Sequence, residues 1–153
     1  MRSILIALLM TFATQAGAWI YDDNFALRNT MQMAVSIRDS ARGGCWTNLR
    51  ESREYAEEKL RISGAKVRDK TEFEPNALLG SYYFEIYVHA RRENKDGSGG
   101  CQGTIIISIY GNALLNGQNH VAAIFENSFI TSQAVNLNND ILEAIGISFA
   151  DLE

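Results

Sequence analysis

The chain is 153 residues long, 46% hydrophobic, and carries a formal charge of −4 from 14 Lys+Arg against 18 Asp+Glu. Mild acidity gives no general attraction to nucleic acid or anionic lipid, so no nucleic-acid partner is expected. The length suits one domain able to bury a real core.

The N-terminus carries the strongest signal. Arg2 precedes an apolar run over residues 4–12, and Ala16, Gly17 and Ala18 then supply the small-x-small pattern read by signal peptidase. The run is too short to cross a hydrocarbon layer of roughly 30 Å as a helix. The expected organisation is a signal peptide over 1–18, cleaved before Trp19, and a single soluble exported α+β domain over 19–153, periplasmic or secreted. Arg2 is the one charged side chain removed, which moves the formal charge from −4 to −5. No later segment approaches the length of a membrane span.

Both cysteines, Cys45 and Cys101, survive processing. In an oxidising compartment an even pair is more often bridged than free. A bridge closing about 57 residues stabilises by about 4 kcal/mol in the chain-entropy account.

Met31, Met33, Val35 and Ile37 alternate with Gln32, Ala34, Ser36 and Arg38, the period of a strand with one buried face. Gly43 and Gly44 break it. A helix is expected from Asn48, which can cap, with Glu51 three residues on as its capping-box partner. Leu49, Ala56 and Leu60 share one stripe, and Ser63 and Gly64 end the helix. Its intermixed acidic and basic residues read as a solvated face. Residues 66–73 read as a charged strand near an edge, closed by Pro75, the only proline.

The clearest element follows. Tyr82, Phe84, Ile86, Val88 and Ala90 face one way, and Tyr83, Glu85, Tyr87, His89 and Arg91 the other. A polar turn over 93–100 leads to a second strand with Ile105, Ile107 and Ile109 on the buried side, forming a hairpin. The same parity turns Cys101 inward, towards the helix that Cys45 precedes. Residues 112–119 read as a connection, and 120–131 as a strand with a bend near Asn127. A closing helix, capped by Asn138 or Asn139, carries Leu137, Ile141, Leu142 and Ile145. The expected fold is α+β: one mostly antiparallel sheet, in the order β-α-β-β-β-β-α, with two helices packed on one face.

Chemistry is sparse. His89 and His120 lack the ligand spacing of zinc sites, and no metal or cofactor motif stands out. There is no Gly-x-Ser-x-Gly elbow. Gly97, Gly99, Gly100 and Gly103 lead into a strand and not into the helix a phosphate cradle requires, so they read as a flexible hairpin tip. Asp22, Asp23 and Asn24 lack a calcium-loop spacing. Glu72 and Glu74 share a strand face without a nameable pocket.

One surface stands out. Tyr83 and Tyr87 should lie beside Ile106 and Tyr110 on the outward face of the hairpin, an unusually aromatic composition for a wet sheet face. Three occupants fit: the segment holding Trp19, Ile20, Tyr21 and Phe25; a protein partner or second copy; or a sugar or peptide stacked on the rings. The expected function is that of a non-catalytic exported binding or accessory protein acting through this face or the hairpin tip. The alternatives are a small secreted hydrolase or enzyme-inhibitor-type domain, and a structural homodimer.

Overall fold

Strand β1 (Gln32–Asp39) is built by the alternating run, and helix α1 (Leu49–Ile62) follows it, in a computed structural model that describes residues 31–68, 81–115 and 118–152. The remaining elements are β2 (Lys66–Val67), β3 (Ser81–Arg92), β4 (Cys101–Leu115), β5 (Gln118–Gln133) and α2 (Asn138–Ala150). They form one five-stranded sheet in the order β2-β1-β3-β4-β5. The β3–β4 and β4–β5 ladders are antiparallel, whereas β1 lies parallel to both of its neighbours. The fold is therefore α+β, with a mixed and mostly antiparallel sheet and two helices packed against it. The signal-peptide region, residues 19–25, Glu72 and Glu74 lie outside the described residues.

The core sits between the sheet and the helices. Met33 and Val35 from β1, Phe84, Ile86 and Val88 from β3, and Ile105, Ile107 and Ile109 from β4 are all at or below 1% exposure. Ala56 and Leu60 of α1 and Ile141 and Ile145 of α2 close over them. The Phe84 and Phe149 rings stack at 4.9 Å, joining β3 to α2. Burying side chains of this size contributes about 1.5–3 kcal/mol each.

The disulfide joins Cys45 to Cys101 across a Cα separation of 5.5 Å, on the helix side of the sheet as the strand parity requires. Around it the loop before α1 is tied to the start of α2. The Leu137 amide donates to the Cys45 carbonyl at 2.8 Å, and Asn138 bonds both the amide and the hydroxyl of Thr47. Trp46, 4% exposed, donates its indole N–H to Ser52 at 3.3 Å.

Several local expectations change for physical reasons. Asn48 is at the N-cap of α1, but its side chain bonds Glu51 and Ser52 instead of a backbone amide. Asn138 likewise reaches Thr47, and Leu137 takes the N-cap position of α2. Residues 112–115 and 118–119 are not a connection. They are strand, because the β4–β5 ladder runs on to Leu115↔Gln118 and satisfies the backbone whatever the side-chain polarity. The β5 irregularity lies at Ile124, where the register shifts between Ile109 and Tyr110, not at Asn127. Asn127 is instead a polar residue on the helix side, donating to Ser148 and Asp151 of the α2 end. Of the second expected strand Lys66–Val67 forms β2, at the edge of the described sheet as expected, and residues 69–73 lie outside the described residues.

The hairpin tip is held by its own hydrogen bonds. Glu93 and Gly100 pair at 2.9 Å, and the Asp96 carboxylate accepts from both the amide and the hydroxyl of Ser98. Gly97 and Gly99 have positive φ there. Gly103 is no part of the tip: it lies in β4 opposite Ala90.

Candidate functional site

The face of the sheet away from the helices is built by the strand positions that the core does not use. Register sets its side chains in rows across the strands. Tyr83 pairs with Tyr110, and Tyr87 with Ile106, so the four residues expected to cluster do share one patch. Ala34 of β1 and Ala123 of β5 extend the first row, and Arg38 and Ser128 the second.

The patch is not uniformly open. Tyr83 is 3% exposed and Ala34 is fully buried, whereas Tyr87, Ile106 and Tyr110 are half-buried. Whether residues 19–25 cover part of it lies outside the described residues. The Arg38 guanidinium stands 4.4 Å from the centre of the Tyr87 ring, a cation–π contact at the patch border.

Between the two aromatic rows runs a polar one that strand alternation alone did not single out. Register brings Ser36, Glu85, Ser108 and Glu126 into line across four strands. Ser108 is 1% exposed and donates to Glu126 at 3.3 Å. Glu85 lies 3.5 Å from Arg38, with its side chain 16% exposed. Burial pushes the Glu85 carboxyl above the usual glutamate range; Arg38 partly offsets this and Glu126 adds to it. Burial also raises the Tyr110 phenol, opposed by its hydrogen bond with Ser108 and reinforced by the two carboxylates. Glu85 was visible as the residue between Tyr83 and Tyr87, but its ion-pair partner comes from β1 and its row neighbours from β4 and β5, whose register no single-strand pattern contains.

A carboxyl whose folded pKa is raised costs stability once ionised. Its unfolded counterpart loses its proton first, so stability falls as pH rises from the unfolded value through the folded one. Glu85→Gln is therefore expected to stabilise the protein at neutral pH, with the gain fading as pH falls through the raised folded value and gone once pH is below the ordinary glutamate range. Urea titrations at pH 7 and at low pH check this. Equal stability of the two proteins at pH 7 would show that Arg38 fully compensates the burial.

His89 lines two concavities. One, of about 570 Å³, continues the helix-free face past Thr104 to Arg91, Gln102 and Ile130. The other, of about 370 Å³, also holds Asp39, Ser40 and Arg42. Serine, histidine and aspartate thus share a groove, an arrangement no sequence spacing announced. They are not wired as a triad. Asp39 accepts the Ala41 amide at 2.8 Å, and no hydrogen bond joins His89 to Asp39 or Ser40. His120 is exposed on β5, away from that groove in the ladder. Among the described residues, no group of three or more His, Cys, Asp or Glu side chains could hold a metal ion, and no helix is long and apolar enough to cross a membrane.

No protein-family model and no curated protein matches the chain. Solved structures similar to it include a hypothetical protein of Chlamydia trachomatis, at 13% identity and TM-score 0.38, covering 69% of this chain and 73% of that one. A PelC dodecamer from Paraburkholderia phytofirmans is similar at 13% identity and TM-score 0.42, covering 83% of this chain and 91% of that one. Neither likeness places the chain in a family.

Proposed function

We propose that this chain is an exported, non-catalytic binding protein whose contact surface is the helix-free sheet face around Tyr87, Ile106 and Tyr110. The observation that carries the reading is the half-exposed state of these three side chains in adjacent rows, bordered by Arg38. Rigid aromatic surface with a cation at its rim is the composition of protein contact sites, because it offers apolar area at little conformational cost. The enclosed disulfide is compatible with an oxidising compartment.

Two measurements test the reading. N-terminal sequencing of native material should begin at Trp19, with both sulfurs oxidised. Used as bait in an extract of the exported fraction, the processed protein should retain a partner that Tyr87→Ser/Ile106→Ser loses. Ile62→Ser, at a 70% exposed position on α1, should retain it. Identical capture by all three proteins would discard the face.

A further inference from the structure

The sheet ends, among the described residues, at β5, and the character of that edge is unusual. Among the described residues β5 pairs only with β4, which leaves the outward backbone groups of a 16-residue strand without a ladder partner. Natural proteins guard long edges with lysine, proline or truncation. This strand has no lysine, arginine or proline, and Glu126 is its only carboxylate.

Apolar surface gathers here. Five large hydrophobic side chains are exposed among the described residues: Val121 (42%) and Ile130 (92%) stand on β5, Val135 (68%) follows it, Ile147 (43%) is on α2, and Ile62 is elsewhere. Between β5 and α2 lies a groove of about 170 Å³, walled by Phe129, Ile130, Ala144 and Ile147 with Asp140 and Glu143 among its lining. Charge gathers too. No lysine or arginine follows Lys95, so the segment from β4 to α2 carries Glu126, Asp140, Glu143 and Asp151 with no fixed positive charge of its own.

We propose that the β5 edge and its α2 groove dock an extended partner segment in which apolar residues alternate with lysine or arginine, added as a sixth strand. The segment's backbone completes the open ladder, and its alternate side chains meet two different surfaces. On the helix-free side they pack beside Val121 and Ile130. On the helix side the alkyl stem of a lysine or arginine lies along Phe129, Ala144 and Ile147, with its cationic head at Asp140 and Glu143. Charge argues against a second copy, since the fixed charges of β5 and its α2 groove are all acidic and pairing this edge with itself would bring like charges together. This surface is separate from the Tyr87–Ile106 patch, and the inference does not rest on it.

The probe is a labelled, end-capped decapeptide of alternating valine and lysine, titrated into the disulfide-bonded protein by fluorescence anisotropy and amide chemical shifts. Two control peptides carry glutamate for lysine, or proline at alternate valines with the charge unchanged. The valine–lysine peptide should bind at least about tenfold tighter than either control, about 1.4 kcal/mol, with shifts concentrated over residues 118–133. Glu143→Lys and Ile130→Lys should each weaken it several-fold, whereas Ile62→Lys and Tyr87→Ser should not. Equal binding of the proline peptide would reduce the effect to bulk charge attraction and overturn the proposal. So would absent binding, or concentration-dependent sedimentation with β5 shifts and no peptide present, which would assign the edge to a second copy.

Discussion

Replacing Cys45 and Cys101 together with alanine is expected to lower the unfolding free energy by about 4 kcal/mol, within the range of about 2–5 kcal/mol seen when a native bridge is removed. The bridge links residues 56 apart in sequence, and both cysteines are fully buried. Opening it enlarges the unfolded ensemble and leaves two small apolar side chains where the loop before α1 meets β4. The native corner does not depend on the sulfurs alone. The Leu137–Cys45 backbone bond and the two Asn138–Thr47 bonds still tie that loop to α2. The double variant should therefore fold to the same structure with a lower urea midpoint and a somewhat larger m-value, because the unfolded chain without its cross-link exposes more surface. A loss below about 1 kcal/mol would count against the unfolded-state account of the bridge. A smaller m-value would show that the corner itself had opened and already exposed surface in the native state.

Gly103→Ala should cost about 3 kcal/mol, at the upper end of what inserting a single methyl into a packed site usually does. A Cβ at that position would meet the His89 carbonyl oxygen and come within 2.6 Å of the Ala90 Cβ, both on the neighbouring strand β3. Backbone cannot swing aside as a flexible side-chain end can, so β3 and β4 must separate where Ala90, 2% exposed, already packs. Gly97→Ala is the informative comparison. Its φ is +83° and nothing lies within 4 Å of its would-be Cβ, so only the left-handed backbone resists substitution, at about 1 kcal/mol. Thermal or urea unfolding of the two variants separates crowding from backbone strain. Adding Ala90→Gly should recover part of the Gly103→Ala loss but not all, because the His89 carbonyl remains. Equal losses at Gly103 and Gly97 would mean that the two strands can spread at little cost.

The contrast between these two glycines also marks how far residue order could be read. Alternation located the inward faces of β3 and β4, and with them the side of the sheet on which Cys101 would meet Cys45. That worked because a period of two is a property of one strand alone. The same reasoning set Gly103 in the hairpin tip with Gly97 and Gly99, since composition does not say where a turn stops and a ladder begins. It also took residues 112–119 for a connection. The long β4–β5 ladder overrides their polarity by satisfying the backbone, a gain that exists only once both strands are present. Asn48 and Asn138 were expected as caps because their side chains can serve amides nearby. In the folded chain they find partners brought by packing: Ser52 and Glu51 for one, and Thr47, distant in sequence, for the other.

Residue order by itself determined the element sequence, the hairpin, the placing of Tyr83, Tyr87, Ile106 and Tyr110 on one outward face, and the half-cystine partners. Each of these follows from local periodicity or from a count of two. Tertiary structure alone decided that β1 inserts in parallel beside β3, that Ser36, Glu85, Ser108 and Glu126 share a row, that Tyr83 is buried while Tyr87 is not, and that β5 forms an apolar, acidic edge. These depend on which strand lies next to which and at what register. That choice is made by the summed packing of distant segments, and no single segment carries it.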